Sequence, residues 1–146
     1  MRSVKALVVV SIVGVVVGAA GTAFAKPLTE TQWKKQGNTI CRQINNEINE
    51  IGNEAFAELG QDEEPSAAQL TAYVEQLLPV IEDGLVSINK LQEPKSVRKG
   101  LTRFNREVTE ALVALDEDPT ILLGNEDPFE DAGKAAKAVG LKTCAN

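Results

Sequence analysis

Two cysteines, a row of glutamates and a cluster of basic residues are the side chains in this sequence whose types could do chemistry. Glu47, Glu50, Glu54 and Glu58 recur at steps of three or four, each one residue ahead of an apolar position: Ile48, Ile51, Ala55 and Leu59. Carboxylates in such a row could hold a di-iron centre inside a helical bundle, but those centres also draw a Glu-x-x-His pair from their helices. The chain has no histidine. The row therefore reads as a solvated flank, with like charges that repel by roughly a few tenths of a kcal/mol per pair. Asp116-Glu117-Asp118 and Asn125-Glu126-Asp127 are acidic enough to suggest calcium, yet neither continues into the EF-hand spacing with glycine at position six. No metal and no cofactor is expected.

Catalysis has little to stand on either. Missing histidine removes the commonest general base and the commonest zinc and haem ligand. Beyond residue 25 the serines are Ser66, Ser87 and Ser96, and Ser66 and Ser96 stand where helix caps belong. No glycine-rich phosphate loop occurs, and the acids are too evenly spread to single out an acid and base pair. Cys41 and Cys144 lack both a C-x-x-C spacing and a histidine to lower a thiol pKa, which argues against redox or nucleophilic work. The expectation is a protein that is not an enzyme.

The basic cluster is Lys90, Lys95, Arg98, Lys99, Arg103 and Arg106, opposed within that stretch only by Glu93. At helical spacing Lys99, Arg103 and Arg106 share one face. They either neutralise acids on adjacent helices or dock an anionic partner, a cell-envelope polymer or an acidic protein, with an attraction that salt weakens. The net charge of the whole chain is −6. That balance argues against nucleic acid, which needs basic surface to replace counterions.

The amino terminus supplies an address. Arg2 and Lys5 precede an uncharged, valine-rich run from Ala6 to Ala20, and Gly21-Thr22-Ala23-Phe24-Ala25 follows. This is the order of a secretory signal, with Ala23 and Ala25 as the small side chains ahead of a cut between Ala25 and Lys26. An uncleaved anchor is the competing reading, because about 20 apolar residues span a bilayer. Residues 1–25 are read as a signal peptide and residues 26–146 as one domain, secreted or held at the cell envelope and free of the membrane after cleavage. Losing Arg2 and Lys5 takes the net charge from −6 to −8. In an oxidising compartment Cys41 and Cys144 are expected to pair within the chain, although a bridge between chains or a free thiol stays open.

The elements that would position these residues are helices. Thr29 with Gln32 forms a capping box ahead of Ile40, Ile44, Ile48, Ile51, Ala55 and Leu59, predicting a helix over about 30–59 that stops at Gly60. Ser66 with Gln69 caps a second helix with the stripe Leu70, Val74, Leu77, Ile81, Leu85 and Ile88, which Pro79 should kink. Ser96 caps a third, with Val97, Leu101, Phe104, Val108, Leu112 and Leu115. Ile121-Leu122-Leu123 form a short packed turn. Asp127 caps a short last helix through Pro128, with Phe129, Ala132, Ala136 and Val139 buried and Gly140 as its stop. No segment alternates with period two. The prediction is an all-α, up-down-up-down four-helix bundle with a short last helix, so that the first helix overhangs the last, Trp33 packs on the overhang, and Cys144 staples the tail just above it.

A signal peptide, an early cysteine in the first helix, two central helices bounded by proline, and an alanine-rich last helix closing in Gly140-Leu141-Lys142-Thr143-Cys144 resemble small secreted helical proteins of actinobacteria. The resemblance implies a disulfide-closed bundle and no substrate. The function expected is an exported module, not an enzyme, that binds an unknown protein or envelope polymer or serves a structural role there. The alternative is a carrier whose bundle core takes a small apolar ligand, loosened by Pro79 and by Gly37, Gly52, Gly84 and Gly100.

Overall fold

The computed structural model describes residues 27–60 and 63–145. The expected signal segment and its cleavage point at Ala23, Ala25 and Lys26 lie outside the described residues. Four α-helices follow one another: α1 (Glu30–Ala55), α2 (Ala67–Lys90), α3 (Arg98–Glu117) and α4 (Glu130–Val139). A 3-10 turn, Pro119–Leu123, joins α3 to α4, and a second, Lys142–Ala145, forms the tail. Among the described residues there is no strand, and no helix is long and apolar enough to cross a membrane.

Helix starts follow the local chemistry closely. Thr29 accepts from the Gln32 N–H while the Gln32 side chain accepts from the Thr29 N–H, and Ser66 and Gln69 repeat the arrangement at α2. Each box satisfies backbone donors that the first turn leaves without partners. Asp127 Oδ1 accepts from the Phe129 N–H at 2.8 Å and so caps a tight turn, but it is not the N-cap expected for α4. That helix starts at Glu130 behind Phe129 without a side-chain cap, because Pro128 and Phe129 are taken up by the turn. Gly140 ends α4 with φ at 88°, the left-handed conformation that glycine adopts without a Cβ clash.

Two further boundaries differ from expectation. The chain leaves α1 at Phe56, four residues before Gly60, and the Phe56 ring packs on Tyr73 of α2 with centroids 5.1 Å apart. Leu59, the last residue of the expected stripe, lies beyond the helix and is half-buried. Ser96 does not cap α3, which starts behind Val97 without a side-chain cap. Its hydroxyl instead donates to Glu30 Oε2 at 2.8 Å, tying the start of α3 to the start of α1.

The helices pack as two antiparallel hairpins. In the first, Gly84 of α2 faces Ile44 of α1 and Tyr73 faces Gly52. In the second, Gly100 of α3 faces Val139 of α4. A Cβ built on Gly37, Gly84 or Gly100 would fall under 3.0 Å from Leu141, Ile44 or Val139 respectively. These glycines therefore bring neighbours close, and only Gly52, with ordinary contacts, leaves slack. The overhang is absent. α4 ends with Gly140 against Lys34, near the start of α1, and the tail turns back along α1 to reach Cys41. Trp33 is consequently fully buried.

Burial divides unequally along the stripes. Every stripe residue of α3 is buried, from Val97 to Leu115. On α1 the buried positions are Trp33, Gly37 and Cys41, one turn apart beneath the tail, while Ile44 and Ile48 are half-buried. Ile81 and Leu85 of α2 are half-buried as well. The core accordingly falls into two clusters, one around Trp33, Phe104 and Val139 and a smaller one around Val74, Leu77 and Leu115.

Candidate functional site

At the seam of those two clusters lies an apolar cavity of about 290 Å³. Ile44 and Ile48 of α1 form one wall, Leu77, Ile81 and Leu85 of α2 the next, and Phe104 and Val108 of α3 stand opposite. Ala132 of α4 and Phe129 complete it. The half-buried Ile44, Ile48, Ile81 and Leu85 all face this space. A void of about 150 Å³ lined by apolar side chains takes a benzene ring. The cavity therefore has room for roughly two rings' worth of carbon, near the lower edge of the volumes used for small-molecule sites.

Polar groups are few and stand at its edges. Asn45 is already engaged, its Nδ2 donating to the Thr143 carbonyl at 2.9 Å. Asp127 is exposed and contributes the one charged side chain of the lining. The Tyr73 hydroxyl makes no hydrogen bond among the described residues, and burial raises its pKa, so it stands at neutral pH as an uncharged group able to donate and accept. Cys144 lines the cavity at the tail, where it is bonded to Cys41 across a Cα–Cα distance of 4.9 Å.

The tail that carries Cys144 is held by two side chains that periodicity does not single out. Asn38 Nδ2 donates to the Gly140 carbonyl at 2.8 Å and Asn38 Oδ1 accepts from the Thr143 N–H at 2.8 Å. With Asn45 it brackets Cys41 at helical spacing, three residues before and four after. That spacing was available in the sequence as a sign that amides flank the cysteine on one face of α1.

The basic face is self-paired. Lys99, Arg103 and Arg106 are exposed on α3, but Arg106 Nη2 reaches Glu107 Oε1 at 2.6 Å and Arg103 Nε reaches the same oxygen at 3.5 Å. Arg106 Nε also lies 3.6 Å from Glu110. Hydrogen bonding from Arg106 holds the Glu107 carboxyl below the usual carboxylate range and raises the Arg106 pKa in return. The acids that neutralise Arg103 and Arg106 thus sit on the same helix, within the turn that follows the basic stretch, and not on adjacent helices. Lys99 makes no ion pair among the described residues. Glu47, Glu50, Glu54 and Glu58 are exposed, and no three potential ligands among the described acids and cysteines gather into a metal-ligand set.

In comparisons with protein-family models, with curated proteins and with solved structures, nothing matches this chain.

Proposed function

We propose that this protein is an exported carrier, without catalytic activity of its own, that holds a small apolar ligand in the cavity between its two helical hairpins. The observation that supports the reading is the cavity itself: about 290 Å³ of apolar space in the core of a small bundle. The cavity is partly open to solvent, and its apolar side chains forgo the dispersion contacts that a close-packed interior would give them. An occupant restores those contacts. Export is supported by the signal-like residues 1–25 and by the Cys41–Cys144 disulfide, which persists in oxidising surroundings.

The partner-binding alternative leans on the basic face of α3, and there Glu107 and Glu110 already meet two of the three cations. Of the three, Lys99 alone makes no ion pair among the described residues. The deciding experiment is a thermal melt of residues 26–146 with and without naphthalene, toluene and 1-octanol, together with mass spectrometry of organic extracts of the protein purified from its native source. A ligand at about one hundred times its Kd stabilises by about 2.7 kcal/mol. A rise of several degrees with at least one probe supports the carrier. No rise with any probe and no extractable compound overturns it.

A further inference from the structure

The charge around the cavity is one-sided. Its lining carries no lysine or arginine, and its single charged residue is Asp127. Asp127 also belongs to an adjoining cleft, which continues the negative field through Glu107, Glu110, Glu126 and Asp131. Arg103 and Arg106 offset Glu107 and Glu110, and Lys134 offsets Asp131 at 3.0 Å, leaving Glu126 and Asp127 without an ion pair among the described residues. Beyond residue 25 the whole chain adds an excess of acids to the same sign. A carboxylate ligand entering here would bring like charge to Asp127, while an ammonium would find its counter-ion at the rim.

Building on the carrier reading, we propose that the ligand is a cationic amphiphile, an alkyl- or arylammonium whose apolar body fills the cavity and whose charge rests at Asp127. One oxygen of Asp127 accepts the Phe129 N–H, which fixes the side chain, and its second carboxylate oxygen makes no hydrogen bond among the described residues. The Tyr73 hydroxyl is a second polar group of the lining, neutral and able to accept.

Three probes of equal chain length separate the terms: octylammonium, 1-octanol and octanoate, titrated calorimetrically against residues 26–146 at pH 7 and low salt. Octylammonium is expected to bind about tenfold more tightly than 1-octanol, with octanoate weakest. Asp127→Asn keeps a side chain able to cap the turn before α4, so the fold is retained. In that variant octylammonium should weaken about fivefold or more while 1-octanol is unchanged. Octanoate binding as tightly as octylammonium, or an octylammonium preference that survives Asp127→Asn, overturns the ligand class and leaves the carrier standing. Failure of all three probes to bind overturns the carrier reading with it.

Discussion

Leu141 sits directly on Gly37, its side chain occupying the place a Cβ on Gly37 would take, and both residues are buried. The contact lets the tail lie flat along α1 and carries Cys144 to Cys41. Gly37→Ala should therefore destabilise by about 1 kcal/mol, because overpacking against an enclosed side chain outweighs the helix propensity that alanine adds. In a Leu141→Ala background the sign should reverse, since the space is then free and only the propensity gain of about 1 kcal/mol remains. Denaturant melts of the four proteins in this double-mutant cycle measure it. Equal effects of Gly37→Ala in both backgrounds would show that the two residues do not compete for space.

The disulfide closes a long loop, with Cys41 and Cys144 separated by 103 positions. Constraining the unfolded chain over that length stabilises by about 2–4 kcal/mol in typical cases. Cys41→Ser, or reduction, is expected to lower Tm by about 10–20 °C. Helicity should survive, because Asn38 and Asn45 still hold the tail by its backbone. Circular dichroism melts with and without reductant give the answer, and an unchanged Tm would refute it.

Glu30 links the first turn of α1 to Ser96 and carries a pH signature. Its hydrogen bond from Lys34, then that from Ser96, lower its pKa from the ordinary 4.5. The folded protein therefore holds the Glu30 proton less readily than the unfolded chain. Stability from this group is present above the unfolded value and is lost as pH falls through the folded one. Glu30→Gln should melt below the parent at pH 7, and the gap should close in acid beneath the carboxylate range. A gap of constant size across that range would mean that the charge on Glu30 plays no part.

Much of this fold was legible because it follows from local chemistry. Thr29–Gln32 and Ser66–Gln69 form their boxes, Gly140 stops α4, and the α3 stripe is buried throughout. Features set by tertiary contact were not legible. Ser96 turns from its own helix to Glu30, and Arg103 and Arg106 turn to Glu107, which lies just past the end of the basic stretch. The cavity was the least visible, because Ile44, Ile81 and Leu85 have the same periodicity whether they meet a neighbour or an opening. Gly37 and Cys41 were hidden for a related reason: a glycine and a cysteine do not extend an apolar stripe, yet with Trp33 they form the buried line beneath the tail.

If the space between the hairpins is a binding cavity, filling it should separate stability from binding. Ala132 is buried on α4 and borders the cavity, so Ala132→Leu would extend three further carbons into it. Each buried methylene contributes about 0.8 kcal/mol, less the cost of fitting an existing shape, and cavity filling commonly yields about 0.5–2 kcal/mol overall. Leucine is also a good helix former, so α4 itself should not suffer. The variant is therefore expected to melt higher than the parent in the absence of ligand and to lose at least tenfold in affinity for naphthalene or 1-octanol. A lower melting temperature with undiminished binding would mean that the leucine met a packed wall and that the ligand enters elsewhere.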